Sequence, residues 1–172
     1  MRVALIVIVL FLSPFLGWSQ NVGVGADLAY NFQTTSAGIG LRASIFPNHN
    51  LSITPELTYY PGFNPVNEYI LSVALEDKLF KYKNYMFYII GQIGFDNWIN
   101  FSESPMQGAK PDNFNLEGGG GVTTNKCLRP FLEYRYNFVF RETDLRLGVL
   151  YIIGCGGGGA KSIRSSDDCP KF

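Results

Sequence analysis

Residues 21–32 read Asn21-Val22-Gly23-Val24-Gly25-Ala26-Asp27-Leu28-Ala29-Tyr30-Asn31-Phe32. Val22, Val24, Ala26, Leu28, Tyr30 and Phe32 fall on one parity, and Asn21, Gly23, Gly25, Asp27, Ala29 and Asn31 on the other. Successive side chains of a strand point to opposite faces, so this stretch predicts a strand with one apolar and one polar or small face. The spacing of three and four that a helix requires is absent.

Seven further stretches repeat the pattern. Near 37–46, Ile39, Leu41, Ala43 and Ile45 oppose Gly40, Arg42 and Ser44. Near 50–60, Leu51, Ile53, Leu57 and Tyr59 oppose Ser52, Thr54, Glu56 and Thr58. Near 68–81, Leu71, Val73 and Leu75 oppose Ser72, Ala74, Glu76 and Lys78. Near 84–98, Phe87, Ile89, Ile93 and Phe95 oppose Gln92, Gly94 and Asp96. Near 113–124, Leu116 and Val122 oppose Asn115, Glu117 and Thr123. Near 128–139, Leu132, Tyr134, Tyr136 and Phe138 oppose Glu133, Arg135 and Asn137. Near 143–153, Leu145, Leu147, Val149, Tyr151 and Ile153 oppose Asp144, Arg146 and Gly148.

Each stretch reaches the roughly 9–11 residues that a tilted strand needs to cross a bilayer. Brief turns are expected at 47–50, 81–84 and 125–127, and longer loops at 61–67 and 99–112. Short turns at one end and longer loops at the other fit an outer-membrane barrel. The connections at 33–36 and 141–143 are short although they belong to the loop end. Pro55 stands inside a strand, where it removes a ladder donor and calls for a bulge. The run 118–121 is four glycines, read as a bend or a close approach.

The N-terminus implies export. Arg2 precedes an unbroken apolar run over 3–12, and Gly17 and Ser19 sit at the −3 and −1 positions of a cut before Gln20. That is the order of a secretory signal peptide, and the run is shorter than the ~20 residues of a spanning helix. The expected organisation is a signal peptide at 1–19, a barrel at 20–154 and a flexible Gly-rich periplasmic tail at 155–172.

Composition decides which face is outside. A water-facing barrel wall is dense in lysine and glutamate, yet only 16% of this chain is charged, against about 25% in soluble domains. The polar face is mostly Gly, Ala, Ser, Thr and Asn, small enough for the interior of an eight-stranded barrel. Its charges are mixed: Asp27, Glu56, Glu76, Glu117 and Glu133 against Arg42, Lys78, Arg135 and Arg146. Facing inward, they must pair across the lumen, because unpartnered buried charge is very costly. On the opposite face, aromatics gather at both ends: Tyr30, Phe32, Tyr59, Trp98 and Phe138 near the loops, and Phe46, Tyr85, Phe87 and Phe131 near the turns. By register Phe46, Trp98 and Phe131 fit either face. Interfacial belts of this kind flank membrane barrels. Backbone groups in hydrocarbon need internal partners, so such a sheet must close on itself. The fold expected is an all-β, eight-stranded, antiparallel up-and-down transmembrane barrel.

The stretches at 22–32, 131–136 and 145–151 resemble the outer-membrane β-barrel domain family common in Bacteroidota, the PorT-like small barrels. The resemblance covers about residues 20–153 and implies an eight-stranded barrel with an outer-membrane address, and no defined activity. This chain departs from it by continuing 18 residues beyond Gly154.

Catalytic and ligand motifs are poorly supported. The one histidine, His49, falls in a turn at the end away from the loops, where it cannot serve a Ser/His pair at the outer rim. The segment 154–162 resembles a phosphate loop but has Ala160 where a glycine must precede Lys161. Cys127, Cys155 and Cys169 lack zinc-site spacing. In an oxidising compartment Cys155 and Cys169 are the candidate disulfide, leaving Cys127 odd; the alternative is three free thiols. No enzyme activity, cofactor or metal is expected. Lysine plus arginine equals aspartate plus glutamate, 14 each, which gives no reason to expect nucleic acid. The partners expected are outer-membrane lipid and a periplasmic or surface protein. The functional expectation is a plugged, charge-paired barrel acting as a structural or interaction component. The alternatives are a narrow passive pore and a soluble periplasmic barrel that binds a hydrophobic ligand.

Overall fold

A computed structural model describes residues 22–62, 67–99 and 111–155. The signal-peptide expectation for 1–19 and the tail expectation for 155–172 fall outside these residues, apart from Cys155. Eight strands follow one another: β1 (Val22–Asn31), β2 (Ser36–Ile45), β3 (Leu51–Tyr60), β4 (Asn67–Tyr82), β5 (Tyr85–Ile99), β6 (Asp112–Thr124), β7 (Leu128–Asn137) and β8 (Glu142–Ile152). They form a closed antiparallel barrel in sequence order. β1 pairs with β8 to close it, setting Leu28 opposite Leu147 and Asp27 opposite Gly148. Closure leaves no free sheet edge.

Parity sorts the side chains as the alternation requires. Leu28, Leu147 and Phe95 on the outer wall are 63%, 58% and 71% exposed, whereas Asp27 and Arg146 inside are 6% and 0% exposed. The arrangement is the inverse of a soluble protein: large apolar residues outside, ionised ones inside.

The two short connections at the loop end share one construction. In Asn31-Phe32-Gln33-Thr34-Thr35 and Asn137-Phe138-Val139-Phe140-Arg141, the asparagine Oδ1 accepts the backbone N–H groups two and three residues on, at 3.0 and 3.1 Å in the first and 2.9 and 3.1 Å in the second. The fifth residue then turns left-handed, Thr35 at φ 51° and Arg141 at φ 58°. The asparagine side chain replaces the missing backbone turn, so no long loop is needed.

Pro55 requires no bulge. β2 and β3 keep one register from Ile39↔Tyr59 to Arg42↔Glu56, and again at Ile45↔Ile53, with the ladder lapsing between them where the proline lacks its donor. A register shift does occur in β4, between Lys78 and Phe80. It reverses the parity there, so that Phe80 pairs with Phe87 and Tyr82 with Tyr85 on the outer face. The Phe80 and Phe87 rings stack at 4.7 Å.

Gly121 shows why β6 carries its glycine run. A Cβ at Gly121 would lie 2.6 Å from the Tyr88 ring and 2.9 Å from Glu133 Cγ. The run is a close approach and not a bend, and β6 continues through it.

The cysteine pairing differs from expectation. Cys127 bonds to Cys155, with Cα atoms 5.4 Å apart, so Cys155 is not paired with Cys169, which lies outside the described residues. Leu128 pairs with Tyr151 and Ile152 N–H donates to Cys127 O, so the β6–β7 turn lies beside the end of β8. The cysteines are 28 positions apart, and the β7–β8 hairpin folds the chain between them back on itself, a proximity that spacing in the chain does not reveal.

Candidate functional site

The interior of the barrel is the candidate site. Adjacent strands supply neighbouring charges: Arg42 of β2 lies opposite Glu56 of β3, and Glu133 of β7 opposite Arg146 of β8. Other pairs span the lumen. Arg42 Nη1 and Nη2 donate to the two oxygens of Glu133 at 2.7 and 3.1 Å, linking β2 to β7. Arg135 Nη1 and Nη2 donate to Glu56 at 2.8 and 2.9 Å, linking β7 to β3. Two parallel N–H···O bonds of this kind match the planar guanidinium to the carboxylate.

Further contacts bind these groups into one lattice. Arg135 Nε donates to Glu133 Oε2 at 2.9 Å, and Nη1 donates to Gln92 Oε1. Arg42 Nε donates to Asp27 Oδ1 at 3.3 Å. Arg146 Nη1 donates to Glu56 Oε2 at 3.3 Å and to Thr58 Oγ1 at 3.0 Å. Glu117 stands 3.9 Å from Arg135 and 3.8 Å from Arg146. Side chains of all three arginines are at most 2% exposed. At that burial the attraction is screened little, and each bond also satisfies a donor that would otherwise be orphaned.

Seven of the nine charges singled out from the sequence therefore meet in the lattice: Asp27, Arg42, Glu56, Glu117, Glu133, Arg135 and Arg146. Glu76 and Lys78 face the same interior but pair elsewhere. Glu76 Oε1 accepts from Thr54 Oγ1 at 2.9 Å. Lys78 Nζ, towards the turn end, donates to His49 O at 2.5 Å and Ser52 Oγ at 2.6 Å.

The lumen also holds residues outside those nine charges, Tyr88 and Arg129 among them. Tyr88 OH donates to Glu133 Oε1 at 2.6 Å. Arg129 bridges the turn end, donating to Lys126 O at 2.9 Å, Pro47 O at 2.8 Å and Asn48 Oδ1 at 2.6 Å. The signal was parity: Tyr88 shares it with Gln92, and Arg129 with Glu133 and Arg135. Phe131 and Trp98 do not stand in the outer girdles. Phe131 is buried with the Arg42 guanidinium 4.0 Å above its ring, a cation–π contact. Trp98 turns its Nε1–H to Asp96 Oδ2 at 3.0 Å.

The outer wall completes the geometry. At the loop end Tyr30 packs on Phe32, Tyr59 on Tyr69, Phe95 on Phe114 and Tyr136 on Phe138, with centroids 4.5 to 6.4 Å apart. Below them, Leu28, Leu41, Leu57, Leu71, Ile93 and Leu147 are all exposed. A wall of this composition in a closed sheet is a hydrocarbon-facing surface.

The fold is that of the small outer-membrane β-barrels. Neisserial surface protein A superposes with a TM-score of 0.55 at 16% identity, over 77% of this chain and 97% of that one. The N-terminal β-barrel domain of Pseudomonas aeruginosa OprF gives 0.54 at 18% identity, over 77% and 97%. A de novo designed transmembrane β-barrel gives 0.53 at 13% identity, over 77% and 94%. At these identities the likeness concerns the fold alone. No protein-family model and no curated protein matches the sequence.

Proposed function

We propose that this protein is an exported outer-membrane barrel with a sealed lumen, working through its surfaces as a structural or interaction component rather than as a pore. The carrying observation is the arginine–carboxylate lattice, which links β2 to β7 and β7 to β3 straight across the interior. An eight-stranded barrel has an interior just wide enough for side chains. Here those side chains are bonded to one another, so opening a path requires breaking several charge-assisted bonds at once. Arg129 adds a second closure between the β2–β3 and β6–β7 turns.

The strand patterns at 22–32, 131–136 and 145–151 support placement among the PorT-like small barrels of Bacteroidota. Cleavage before Gln20 would deliver the chain to the periplasm, with outer-membrane lipid around the wall and a periplasmic or surface protein as partner at one rim. The exposed leucines of the wall speak against the soluble ligand-binding alternative.

Conductance across planar bilayers tests the proposal. The refolded protein should show no steady channel, and a persistent open state of porin size would reject the sealed lumen.

A further inference from the structure

The hairpin of β4 and β5 outgrows the barrel at the turn end. Alternation of buried and exposed residues in β4 stops at Lys78, and Leu79, Phe80, Lys81 and Tyr82 are all exposed, as are Lys83, Asn84 and Tyr85 after them. Strand pairing with β3 ends at Asp77, followed by one bond from Lys78 N–H to Asn50 O, whereas pairing with β5 runs on to Tyr82↔Tyr85. The outward side chains of this tip continue the hydrocarbon-facing wall: Asp77 with Ile89, then Phe80 stacked on Phe87, then Tyr82 with Tyr85. A charge on the wall is tolerated where the hydrocarbon ends, so Asp77 marks that boundary. At about 3.3 Å per residue and a tilt of roughly 40°, the phenylalanine row lies about 5 Å and the tyrosine row about 10 Å beyond it. The headgroup layer is roughly 5–8 Å deep, so the phenylalanines fall inside it and the tyrosines at its water side. That is the order in which an interfacial belt places an apolar body and a polar tip.

Charge at this end is of one sign. Residues 46–55, 78–88 and 118–132, the three turns with the strand ends beside them, contain Lys78, Lys81, Lys83, Lys126 and Arg129 and no aspartate or glutamate. Lys78 and Arg129 turn inward, while Lys81, Lys83 and Lys126 are exposed. Lys81 Nζ lies 2.7 Å from the side-chain amide oxygen of Asn125. Lys83 Nζ stands 5.3 Å from the centroid of the Tyr82 ring, a cation–π contact. Asn125 N–H donates to Asn84 O at 3.1 Å, which joins the β6–β7 turn and its Lys126 to the tip. Aromatic rows and ammonium groups therefore form one continuous rim.

We propose that the β4–β5 tip and the β6–β7 turn dock on anionic phospholipid in the leaflet on the turn side, with Lys81, Lys83 and Lys126 on the phosphates and the aromatic rows between the headgroups. Each lysine near an anionic surface gains electrostatic attraction, and the rings hold the lysines at the depth where the phosphates lie. The β4 edge beyond Asp77 also offers a template for a strand of another protein. A strand partner does not account for rings that pass from phenylalanine to tyrosine in line with the wall, which is why lipid is the occupant assigned. The inference rests on the hydrocarbon-facing wall and does not need the sealed lumen.

A tryptophan placed in the tip reports which lipid touches it. Trp18→Phe and Trp98→Phe remove both native tryptophans, and Phe87→Trp supplies one in the stacked row, with Tyr85→Trp as the second reporter if that chain does not fold. The full chain is refolded in detergent, the heat-modifiable gel shift confirms the barrel, and the protein is moved into nanodiscs of phosphatidylcholine and phosphatidylglycerol in equal amounts. One lipid or the other carries brominated chains, which quench tryptophan on contact. Quenching should show a local preference for phosphatidylglycerol of about fivefold or more at low salt, shrinking at high salt. Lys81→Gln with Lys83→Gln should bring the two lipids to near-equal quenching. Arg141→Gln, at an exposed basic residue of the loop end, should leave the preference unchanged. Equal quenching in the parent, or a preference that survives Lys81→Gln with Lys83→Gln, would overturn the proposal. Quenching by neither lipid would overturn it too, and would leave the β4 edge to a protein strand. Leu147→Trp in the same background, on the outer wall, should be quenched by either lipid. Failure there rejects the hydrocarbon-facing wall itself, whereas success there with failure at the tip rejects this inference alone.

Discussion

Replacing Arg135 by methionine is the most direct test of the lattice. Arg135 is 1% exposed and donates to both oxygens of Glu56, to Glu133 and to Gln92. Methionine fills much of the same volume but leaves two buried carboxylates short of a partner. Removing one member of a buried ion pair costs about 3–5 kcal/mol. Glu133 keeps Arg42 at 2.7 Å and Tyr88 at 2.6 Å, and Glu56 keeps Arg146 at 3.3 Å. These remaining bonds put the expected loss at the lower end, about 3 kcal/mol. Urea unfolding of the barrel in lipid vesicles, followed by the gel shift between folded and unfolded forms, measures it. Glu56→Gln in the same chain neutralises one stranded carboxylate, so the double variant should be more stable than the sum of the singles by about 1–3 kcal/mol. A loss below about 1 kcal/mol in the single variant, with no coupling to Glu56, would mean that water already screens the interior and that the lattice does not fill it.

Leu147→Arg places a charge on the outer wall beside Leu28 and Leu132, and should cost about 2–4 kcal/mol of stability in bilayers. Arg146→Leu, one residue away and fully buried, should fail differently: it stays compatible with lipid but weakens the lattice at Glu56 and Thr58. Unfolding titrations of both in vesicles separate the cases, and a Leu147→Arg chain as stable as the parent would invert the assigned facing. Cys127→Ser opens a covalent loop spanning 28 residues, which in the chain-entropy model is worth about 3–4 kcal/mol. Non-reducing mass analysis should show the Cys127–Cys155 link in the parent, and a Cys155–Cys169 peptide there would refute the pairing.

The alternation was legible because a strand has a period of two and the barrel wall has two chemically distinct sides. Asp27 beside Leu28, and Arg146 beside Leu147, each announce the facing of a whole strand, and one parity choice carries every residue of it. The left-handed positions Thr35 and Arg141 were less visible, because the asparagine that builds each turn stands four residues earlier. Phe131 was ambiguous by composition, since an aromatic suits either a membrane girdle or a cation–π contact under Arg42. Register alone settled it, through its pairing with Gly148.

What the sequence determined by itself was local and periodic: eight two-faced strands, the charge on their small-residue face, and the apolar surface on the other. What only the tertiary structure decided was which residues meet. Arg42 and Glu133 are 91 residues apart in the chain, and Arg135 and Glu56 are 79 apart, so no spacing rule joins them. Closure of β1 on β8 and the stagger of the register bring them within hydrogen-bonding distance. The same closure sets Cys127 against Cys155.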